Sequence, residues 1–393
     1  MFFRKVALAT LACASIAQAQ NACNQKTTNI QSDGDVQKLA SCSTVKGDII
    51  VGEDVTQFQL AEVQGIEGDL VIEKATGLTS IDMPKVRFIN GNFKLTGLTI
   101  LNTLSAPQLG KVGSIEWVTL PALQSLTFTR TVTEADDVLI SDTQLGSLEG
   151  LNLKTVGTFD INNNKQLRNV DLQLQNVTKA LRIEFNKFGG KSVQVNLPNL
   201  ETVQNATFRD AQSVSVPSLY RVDNSIAFVN NTFESLSLPN LTDVGESIAW
   251  VSNSKLTNIS APILEDVGGT FQIANNTKLT NVDGFPELKT VGGAVDMAGT
   301  FENATLSSLE DVRGGFNFQT TSKFDCAEFE TLKDDQVIKG DDFVCAGDKD
   351  VAESKDGSTS TVGGKNGNGS GAAGLVVNGG LLVATFMAAV AFL

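Results

Sequence analysis

The sequence predicts an all-β protein built as one parallel β-solenoid of about 13 coils, each of about 22 residues. Three observations lead to this fold class. Apolar residues recur in pairs two positions apart, proline and glycine recur between those pairs, and four of the five cysteines lie in two groups that flank the repeats.

The apolar pairs define the repeat, and the mean step from Ile49 to Phe316 is about 22 residues. Side chains two positions apart on a strand point to the same face, so each pair predicts a short strand with one buried face. One coil cannot cover that face alone, whereas stacked coils can. The pairs are Ile49/Val51, Leu70/Ile72, Phe93/Leu95, Ile115/Trp117, Val138/Ile140, Phe159/Ile161, Leu181/Ile183, Ala206/Phe208, Ile226/Phe228, Ile248/Trp250, Phe271/Ile273, Val295/Met297 and Phe316/Phe318.

Corners between strands are predicted where Pro-x-Leu-x-x-Val segments occur, as from Pro239 to Val244 and from Pro262 to Val267. Proline cannot donate to a strand ladder and therefore suits a bend. Glycines that follow, such as Gly268 and Gly292, indicate positions that need a positive φ or a close backbone approach. Asparagines after the strands predict turns whose side chains bond backbone groups, with a polar ligand-binding ladder as the alternative.

Both ends of the chain carry targeting signals. Arg4 and Lys5 precede an apolar run of 11 residues from Val6 to Ile16, which is too short to span a bilayer and is typical of a secretory signal peptide. Leu381–Leu393 is apolar to the last residue and follows a stretch of small residues, which is the pattern of a GPI-attachment signal. Spacing favours Asn368 as the attachment residue, with Asn366, Gly369 and Ser370 as alternatives.

The chain therefore divides into four segments. These are a signal peptide (1–19), a solenoid with cysteine-containing caps (20–345), a flexible stalk rich in Ser, Thr and Gly (346–368) and a GPI-attachment propeptide (369–393). Secretion permits disulfides, and the economical pairings are the local ones, Cys23 with Cys42 and Cys326 with Cys345. Each is expected to stabilise its end by about 3 kcal/mol and to fasten a cap over the exposed face of a terminal coil.

Composition excludes several functions. The formal net charge is −14, which is the wrong sign for binding nucleic acid. The absence of histidine excludes Ser-His-Asp and Cys-His catalysis, and no metal, cofactor or catalytic residue is predicted. Adjacent carboxylates, such as Asp136 with Asp137 and Glu310 with Asp311, are interpreted as solvated surface groups. The enzyme alternative is a solenoid that degrades polysaccharide, but coils of such even length leave little chain for a cleft.

Two kinds of surface site are predicted. Asn-x-Ser/Thr sequons predict N-linked glycans at Asn176, Asn205, Asn230, Asn240, Asn258, Asn275 and Asn303, and Asn368 also stands in a sequon. A modest apolar patch for a partner chain or glycan is expected on the outer sheet face. It comprises Ala227, Val229, Ala249, Val251 and Ala274.

The sequence resembles the fungal GPI-anchored cell-wall organisation proteins. The resemblance rests on the signal peptide, the terminal cysteine pairs, the Pro-x-Leu-x-x-Val repeats with Asn-Asn turns, the sequons and the GPI tail. That family includes sporulation-specific wall proteins and has repeats like the receptor L domain. The resemblance covers nearly the whole chain. It implies a right-handed solenoid of receptor L-domain or leucine-rich-repeat type and a surface glycoprotein that supports wall organisation, integrity and morphogenesis without catalysis.

The expected location is the outer face of the plasma membrane, the cell wall, or both. The expected partners are the membrane, through the GPI lipid, and cell-wall glucan or mannoprotein. Two alternative functions remain open. One is a receptor-like or adhesive module that binds glycan or protein, and the other is an enzyme that modifies wall polysaccharide.

Overall fold

The computed structural model describes residues 22–355 and 359–361. Parallel strands form a β-solenoid of about 13 turns with little helix, which confirms the predicted fold class. The signal peptide, the GPI-attachment propeptide and most of the stalk lie outside the described residues. Among the described residues, no helix is long and apolar enough to cross a membrane.

Within the described residues, regular structure consists of 37 strands and a few short helices. The helices are α1 (Asp33–Val36), a 3-10 helix (Gln37–Leu39) and α2 (Ala327–Asp334). The strands up to residue 184 are β1 (Thr27–Ile30), β2 (Thr44–Val45), β3 (Asp48–Val51), β4 (Gln57–Gln59), β5 (Gly65–Ile66), β6 (Leu70–Glu73), β7 (Ser80–Asp82), β8 (Phe88–Thr96), β9 (Thr103–Ser105), β10 (Lys111–Leu120), β11 (Leu126–Thr127), β12 (Asp137–Thr143), β13 (Thr155–Asn162), β14 (Asn169–Asp171) and β15 (Asn176–Glu184).

The remaining strands are shorter on average. They are β16 (Lys187–Phe188), β17 (Lys191–Asn196), β18 (Thr202–Val203), β19 (Ala206–Arg209), β20 (Ala211–Ser215), β21 (Arg221–Val222), β22 (Ile226–Val229), β23 (Ser235–Ser237), β24 (Asp243–Val244), β25 (Ile248–Val251), β26 (Asn258–Ser260), β27 (Asp266–Val267), β28 (Phe271–Ala274), β29 (Asn281–Val282), β30 (Thr290–Val291), β31 (Val295–Gly299), β32 (Asn303–Ala304), β33 (Asp311–Val312), β34 (Phe316–Thr320), β35 (Phe343–Ala346), β36 (Val351–Glu353) and β37 (Thr359–Thr361).

The described residues group into two compact units. Unit 1 contains those up to Ile226 together with Asn231–Leu241, and unit 2 contains Ala227–Asn230 together with those from Thr242 onward. In unit 1, the main row of parallel strands runs β1, β3, β6, β8, β10, β12, β13, β15, β19. Two shorter rows form another face of the coils. One is β4, β7, β9 and β11, and the other is β14, β17 and β20.

Unit 2 repeats this arrangement with parallel rows of its own. Its main row is β25, β28, β31, β34 and β35, and a second row is β24, β27, β30 and β33. The register is regular, since Ile248 pairs with Phe271 and Phe271 pairs with Val295. Equivalent positions of the repeat are therefore stacked on one another within the unit.

The core consists of the apolar pairs that define the repeat. All 13 predicted pairs are buried, with relative exposures of 2% or less. Aromatic members stack within each unit: the rings of Phe93 and Trp117 are 5.6 Å apart, and those of Trp250 and Phe271 are 5.8 Å apart. Burial of this continuous apolar strip is the main stabilising contribution, because a single coil cannot cover its own inner face.

Caps cover the two ends of the repeats, and the predicted disulfides are present. Cys23 is bonded to Cys42 and Cys326 to Cys345. At the C-terminal cap, α2 places the buried Phe329 against Phe316, with ring centroids 5.0 Å apart. The cap therefore shields the aromatic core of the last coil from water.

The corner glycines meet a requirement for close approach. A Cβ atom on Gly268 would lie 2.1 Å from the carbonyl oxygen of Gly245, and one on Gly292 would lie 2.3 Å from that of Gly268. Neither glycine has a positive φ. The sequence offers two reasons for these glycines, a positive φ or a close backbone approach. The close approach applies, because successive corners are tightly stacked.

Left-handed residues instead occur, in most coils, two positions after the second residue of the apolar pair, at or just beyond the end of the main-row strand. In unit 1 this left-handed column includes Lys74, Asp142, Asn163, Phe185 and Asp210, with φ values of 54° to 57°. In unit 2, Asn230, Ser252 and Asn275 hold the same place in their coils, with φ values of 55° to 59°. Asparagine and aspartate tolerate this conformation better than other residues with a Cβ, which explains the asparagines that follow the strands.

Buried asparagines follow the left-handed column and bond the backbone, as the turn interpretation predicts. In unit 1, the Asn186 Nδ2 donates to the Ile161 carbonyl at 2.7 Å. In unit 2, the Asn276 Nδ2 donates to the Trp250 carbonyl at 2.8 Å, and its Oδ1 accepts from the backbone N–H of Asn253 at 2.9 Å. These side chains are fully buried, so they join coils and do not form a surface ligand ladder.

Candidate functional site

The predicted glycan sites differ in the exposure of their asparagine side chains. Asn230, Asn240, Asn258 and Asn303 are exposed, whereas Asn176, Asn205 and Asn275 are half-buried. Hydrogen bonds occur in both groups: Asn176 Oδ1 accepts from Thr202 at 2.7 Å, Asn275 Nδ2 donates to Ser252 at 3.1 Å, and the exposed Asn240 Nδ2 donates to the Pro217 carbonyl at 2.7 Å. The GPI candidates Asn366, Asn368, Gly369 and Ser370 lie outside the described residues.

The predicted apolar patch lies in unit 2, and four of its five residues are partly accessible. Ala227, Val229, Ala249 and Val251 project between the inward-facing residues of β22 and β25. Ala274 is fully buried, so its assignment to an accessible patch is wrong. Its strand β28 lies beside β31, on which the β36–β37 hairpin packs, and this hairpin encloses the neighbouring side chains.

The outer side of that row holds the first part of the segment predicted as a stalk. Ser354 donates a hydrogen bond to Asp296 at 2.5 Å and accepts one from Gln272 at 3.2 Å. The backbone N–H of Lys355 donates to the same Asp296 carboxylate. Asn317 donates to it as well, at 2.8 Å. Gln272, which the alternation assigns to the outer face, is therefore buried by chain that follows the last coil.

One member of each adjacent carboxylate pair, Asp137 or Asp311, forms ion pairs. Burial favours a higher pKa for Asp137, but hydrogen bonds from Lys179 and Thr158 outweigh it and lower the pKa. Hydrogen bonds from Lys339 and Arg313 lower the pKa of Asp311. The Asp137–Lys179 and Asp311–Lys339 contacts join residues 42 and 28 apart in the sequence, so these carboxylates link separate parts of the chain.

In unit 1, the outer face of the main row carries charged side chains that pair from coil to coil. Lys94 Nζ lies 3.1 Å from a carboxylate oxygen of Glu73 and 3.1 Å from one of Glu116. The hydrogen bond to Glu73, followed by that to Glu116, raises the pKa of Lys94. Charge pairs across parallel strands stabilise their stacking modestly.

Further along the same face lie three ion pairs, and the arginine of one of them contacts an exposed aromatic ring. Arg182 lies 3.4 Å from Asp160, Lys187 lies 3.2 Å from Asp210, and Arg209 lies 4.0 Å from Glu184. The ring is Phe185, which is 46% exposed, and the Arg209 guanidinium lies over it at 5.4 Å from the ring centroid. We call Phe185 and these three pairs the Phe185 cluster.

Phe185 adopts an unusual conformation for a bulky residue. It stands in the left-handed column with φ 55°, a position held in neighbouring coils of unit 1 by Asn163 and Asp210. An L-residue in this region costs about 1–2 kcal/mol, and asparagine or aspartate tolerates it better. Strained residues of this kind are concentrated at functional sites, so an exposed phenylalanine here directs attention to the cluster.

A projecting hairpin borders the cluster. Lys187 and Phe188 of β16 pair antiparallel with the start of β17, and the turn is Gly189–Gly190, both with positive φ. A Cβ atom on either glycine would meet nothing within 4 Å, so the turn extends into open space. Among the described strands of unit 1, the neighbouring coils have no such antiparallel hairpin.

Glu184 is a carboxylate of the cluster whose pKa is raised. Its side chain is 21% exposed, and desolvation raises its pKa, while the positive charge of Arg209 opposes the rise. Asp160 and Asp210 raise it further, and Arg182 lowers it. Arg209 Nε is buried and has no hydrogen-bond partner within the described chain. The Glu184–Arg209 pair is therefore partly desolvated and incompletely hydrogen-bonded.

The repeat analysis does not identify this cluster, although the sequence contains two signals. The step from Leu181 to Ala206 is 25 residues and is the longest of the 12. The added residues include Gly189 and Gly190, which predict a turn. The second signal is a phenylalanine where aligned coils carry polar residues or glycine, as at Lys74, Gly97 and Asn163, and it becomes visible only when the residues after each apolar pair are aligned.

Comparisons with known proteins identify full-length relatives. The chain is 42% identical over 365 residues to "Protein ecm33" of Aspergillus fumigatus, covering 92% of this chain and 90% of the relative. It is 37% identical to "Cell surface GPI-anchored protein" of Arthroderma benhamiae, covering 86% and 87%. It is 33% identical to "Cell wall protein ecm33" of Schizosaccharomyces pombe, covering 88% and 82%. No protein-family model and no solved structure matches the chain.

These relatives span most of both chains, and none of their names denotes an enzyme. The resemblance inferred from the signal peptide, repeats, cysteines and GPI tail is confirmed, as is the predicted location at the cell surface. The chain belongs to the fungal family of GPI-anchored cell-wall and cell-surface proteins.

Proposed function

We propose that this protein supports the organisation, integrity and morphogenesis of the fungal cell wall as a non-catalytic scaffold. The observation that carries the proposal is the match, over more than four fifths of both chains, to relatives named as cell-wall and GPI-anchored surface proteins. A solenoid suits this role, because stacked coils present long surfaces of regularly spaced side chains. Cell-wall glucan and mannoprotein are the proposed partners.

The proposed absence of catalysis rests on the available chemistry. The chain has no histidine, and the pKa values of Asp137 and Asp311 are lowered. Glu184 has a raised pKa and lies near Asp160 and Asp210, so the Phe185 cluster is where an enzyme of this fold would act. We expect no new reducing ends when the purified full chain is incubated with wall oligosaccharides. New reducing ends that disappear in Glu184→Gln would identify an enzyme instead.

Deletion and complementation test the wall function. Cells without the protein should have altered wall composition and increased sensitivity to wall-binding dyes, and the full chain should restore both. A receptor-like or adhesive module remains the second candidate, because the exposed Phe185 is suited to contact another molecule. It would be favoured if deletion left wall composition unchanged and impaired only contact between cells.

We propose Asn368 as the residue that carries the GPI lipid, with Asn366, Gly369 and Ser370 as alternatives. We also propose that Asn230, Asn240, Asn258 and Asn303 carry the most complete N-linked glycans, because their side chains are exposed. Peptide mass mapping after deglycosylation in heavy-oxygen water reports occupancy at each sequon. The same map gives the C-terminal residue attached to the glycolipid.

A further inference from the structure

We propose that the Phe185 cluster binds a neutral pyranose unit of an oligosaccharide. This inference rests on the proposed wall function and adds to it a location and a chemical class of ligand. All the residues involved belong to unit 1 and project from β13, β15 and β19 or directly follow them.

The first argument is the phenylalanine itself. Phe185 is 46% exposed in a left-handed conformation, so neither core packing nor backbone geometry explains an aromatic residue there. Asparagine, as at Asn163 of the preceding coil, suits the same position better. A binding surface explains it, because an aromatic ring offers a flat apolar face on which the C–H groups of a pyranose can pack.

The second argument is the position of that ring. The Arg209 guanidinium lies over it at 5.4 Å, within the range of a cation–π contact. Arg209 is also paired with Glu184 on the adjacent strand, so the guanidinium is attached to the sheet on one side and to the ring on the other. A ring held in this way loses little freedom when a ligand binds.

The third argument is hydrogen-bonding capacity. Arg209 and Glu184 approach to only 4.0 Å, which is too far for a hydrogen bond, and Arg209 Nε has no hydrogen-bond partner in the described chain. Arg209 can only donate, whereas the Glu184 carboxylate accepts. A sugar hydroxyl does both. The two side chains are 20% and 21% exposed, so one hydroxyl could accept from an accessible N–H of the Arg209 guanidinium and donate to the Glu184 carboxylate.

The fourth argument is charge. Each positive side chain of the cluster has one negative partner: Arg182 pairs with Asp160, Lys187 with Asp210 and Arg209 with Glu184. The positive and negative charges of the cluster are therefore equal in number. A charged ligand would have to break one of these pairs. Anionic polymers are further disfavoured by the formal net charge of −14. The site therefore favours a neutral, hydroxyl-rich ligand over phosphate, sulfate or a basic peptide.

Frontal affinity chromatography on the immobilised full-length protein tests the proposal. The probes are fluorescent hexasaccharides of β-1,3-glucan, α-1,6-mannan and chitin, together with a sulfated hexasaccharide. We expect at least one neutral probe to be retarded more than the sulfated one. Phe185→Asn and Arg209→Gln should each weaken its binding at least tenfold, because one removes the stacking face and the other the donor.

Matched controls separate binding from folding. Phe185→Asn should melt at or above the temperature of the wild type, since asparagine suits the left-handed position. Tyr220→Asn removes another exposed aromatic of unit 1, away from the cluster, and should bind like the wild type. Retardation of no neutral probe, stronger retention of the sulfated probe, or wild-type binding by both cluster variants would overturn the proposal.

Two proposals, sugar binding by the Phe185 cluster and the wall function, can be contradicted independently of each other. If Phe185→Asn loses binding and yet restores a normal wall in deletion cells, the cluster binds sugar but the wall function does not depend on it. If deletion leaves the wall unchanged while the chromatography succeeds, the wall function is wrong and the binding site stands.

Discussion

Asn164 shows how one polar side chain joins consecutive coils of unit 1. Its Nδ2 donates to the Ile140 carbonyl at 3.0 Å and lies 3.1 Å from Asn186 Oδ1. Its Oδ1 accepts from the hydroxyl and the backbone N–H of Thr143, at 2.6 and 3.2 Å. The side chain is 1% exposed, so any partner that it loses remains buried without water.

Asn164→Asp should lower the free energy of unfolding by about 3 kcal/mol or more at neutral pH. The carboxylate cannot donate, and it would place a buried negative charge beside the Ile140 carbonyl. Chemical denaturation measures the change. Asn163→Asp is the matched control, because Asn163 is exposed and aspartate tolerates its left-handed φ, so its effect should stay within about 0.5 kcal/mol. Equal losses in the two variants would contradict the assignment of Asn164 as a buried link.

Asp35 makes the N-terminal cap sensitive to acid. The side-chain hydrogen bond from Lys38, followed by those from the Gln31 backbone and Ser32, lowers its pKa from 3.8 to about 2. Because the folded pKa lies below the unfolded value, the stability from Asp35 is complete above about pH 4 and is lost as the pH falls through about 2. Amide exchange of residues 31–39 should therefore accelerate more between pH 4 and pH 2 than its intrinsic rate predicts. Asp35→Asn should remove that excess, and an unchanged pH dependence would contradict the assignment.

At the scale of an element, the C-terminal segment 351–355 behaves as part of the solenoid. Ser354, Lys355 and Asn317 all donate to the Asp296 carboxylate, which is 3% exposed. Asn317 also donates to the Glu353 carbonyl at 2.9 Å. The chain that leads toward the anchor therefore leaves unit 2 from the outer face of its sheet.

Ser354→Ala should release this segment without unfolding the coils. The variant loses a hydrogen bond to a buried carboxylate, a contribution of about 1.5–3 kcal/mol. Hydrogen exchange of residues 351–355 should accelerate at least tenfold, while exchange in β25 and β28 stays unchanged. Ser307→Ala, at an exposed serine of the same unit, is the control and should have no effect. Unchanged exchange of residues 351–355 in Ser354→Ala would show that the contact does not hold the segment.

At the scale of the whole molecule, the protein carries a formal net charge of −14, lies at the cell surface and belongs to a family of GPI-anchored proteins. Phosphatidylinositol-specific phospholipase C should release the protein from intact cells, because we propose a GPI lipid as its membrane attachment. Release by β-glucanase alone would instead make it a covalent component of the wall. A protein that resists both enzymes would contradict the anchor. A secreted protein without a lipid signal serves as the control for non-specific release.

The sequence by itself determined the repeat, the buried pairs, both disulfides and the family. These features depend on local periodicity and spacing: every predicted pair from Ile49 to Phe318 is buried, because period-2 alternation assigns each residue to one face of a strand. The cysteines pair locally because the two members of each pair are 19 residues apart, close to the length of one coil.

Only the tertiary structure decided which residues of different coils lie together on the outer face. Gln272 on the outer face of β28 is buried where Ser354, from the chain beyond the last coil, contacts it, and no periodicity within one coil predicts that contact. The Phe185 cluster combines residues from 160 to 210, and the pairing of Glu184 with Arg209 follows from the stacking register of β15 and β19. Periodicity predicts the face on which a side chain lies, whereas its neighbours on that face depend on the length of every intervening turn.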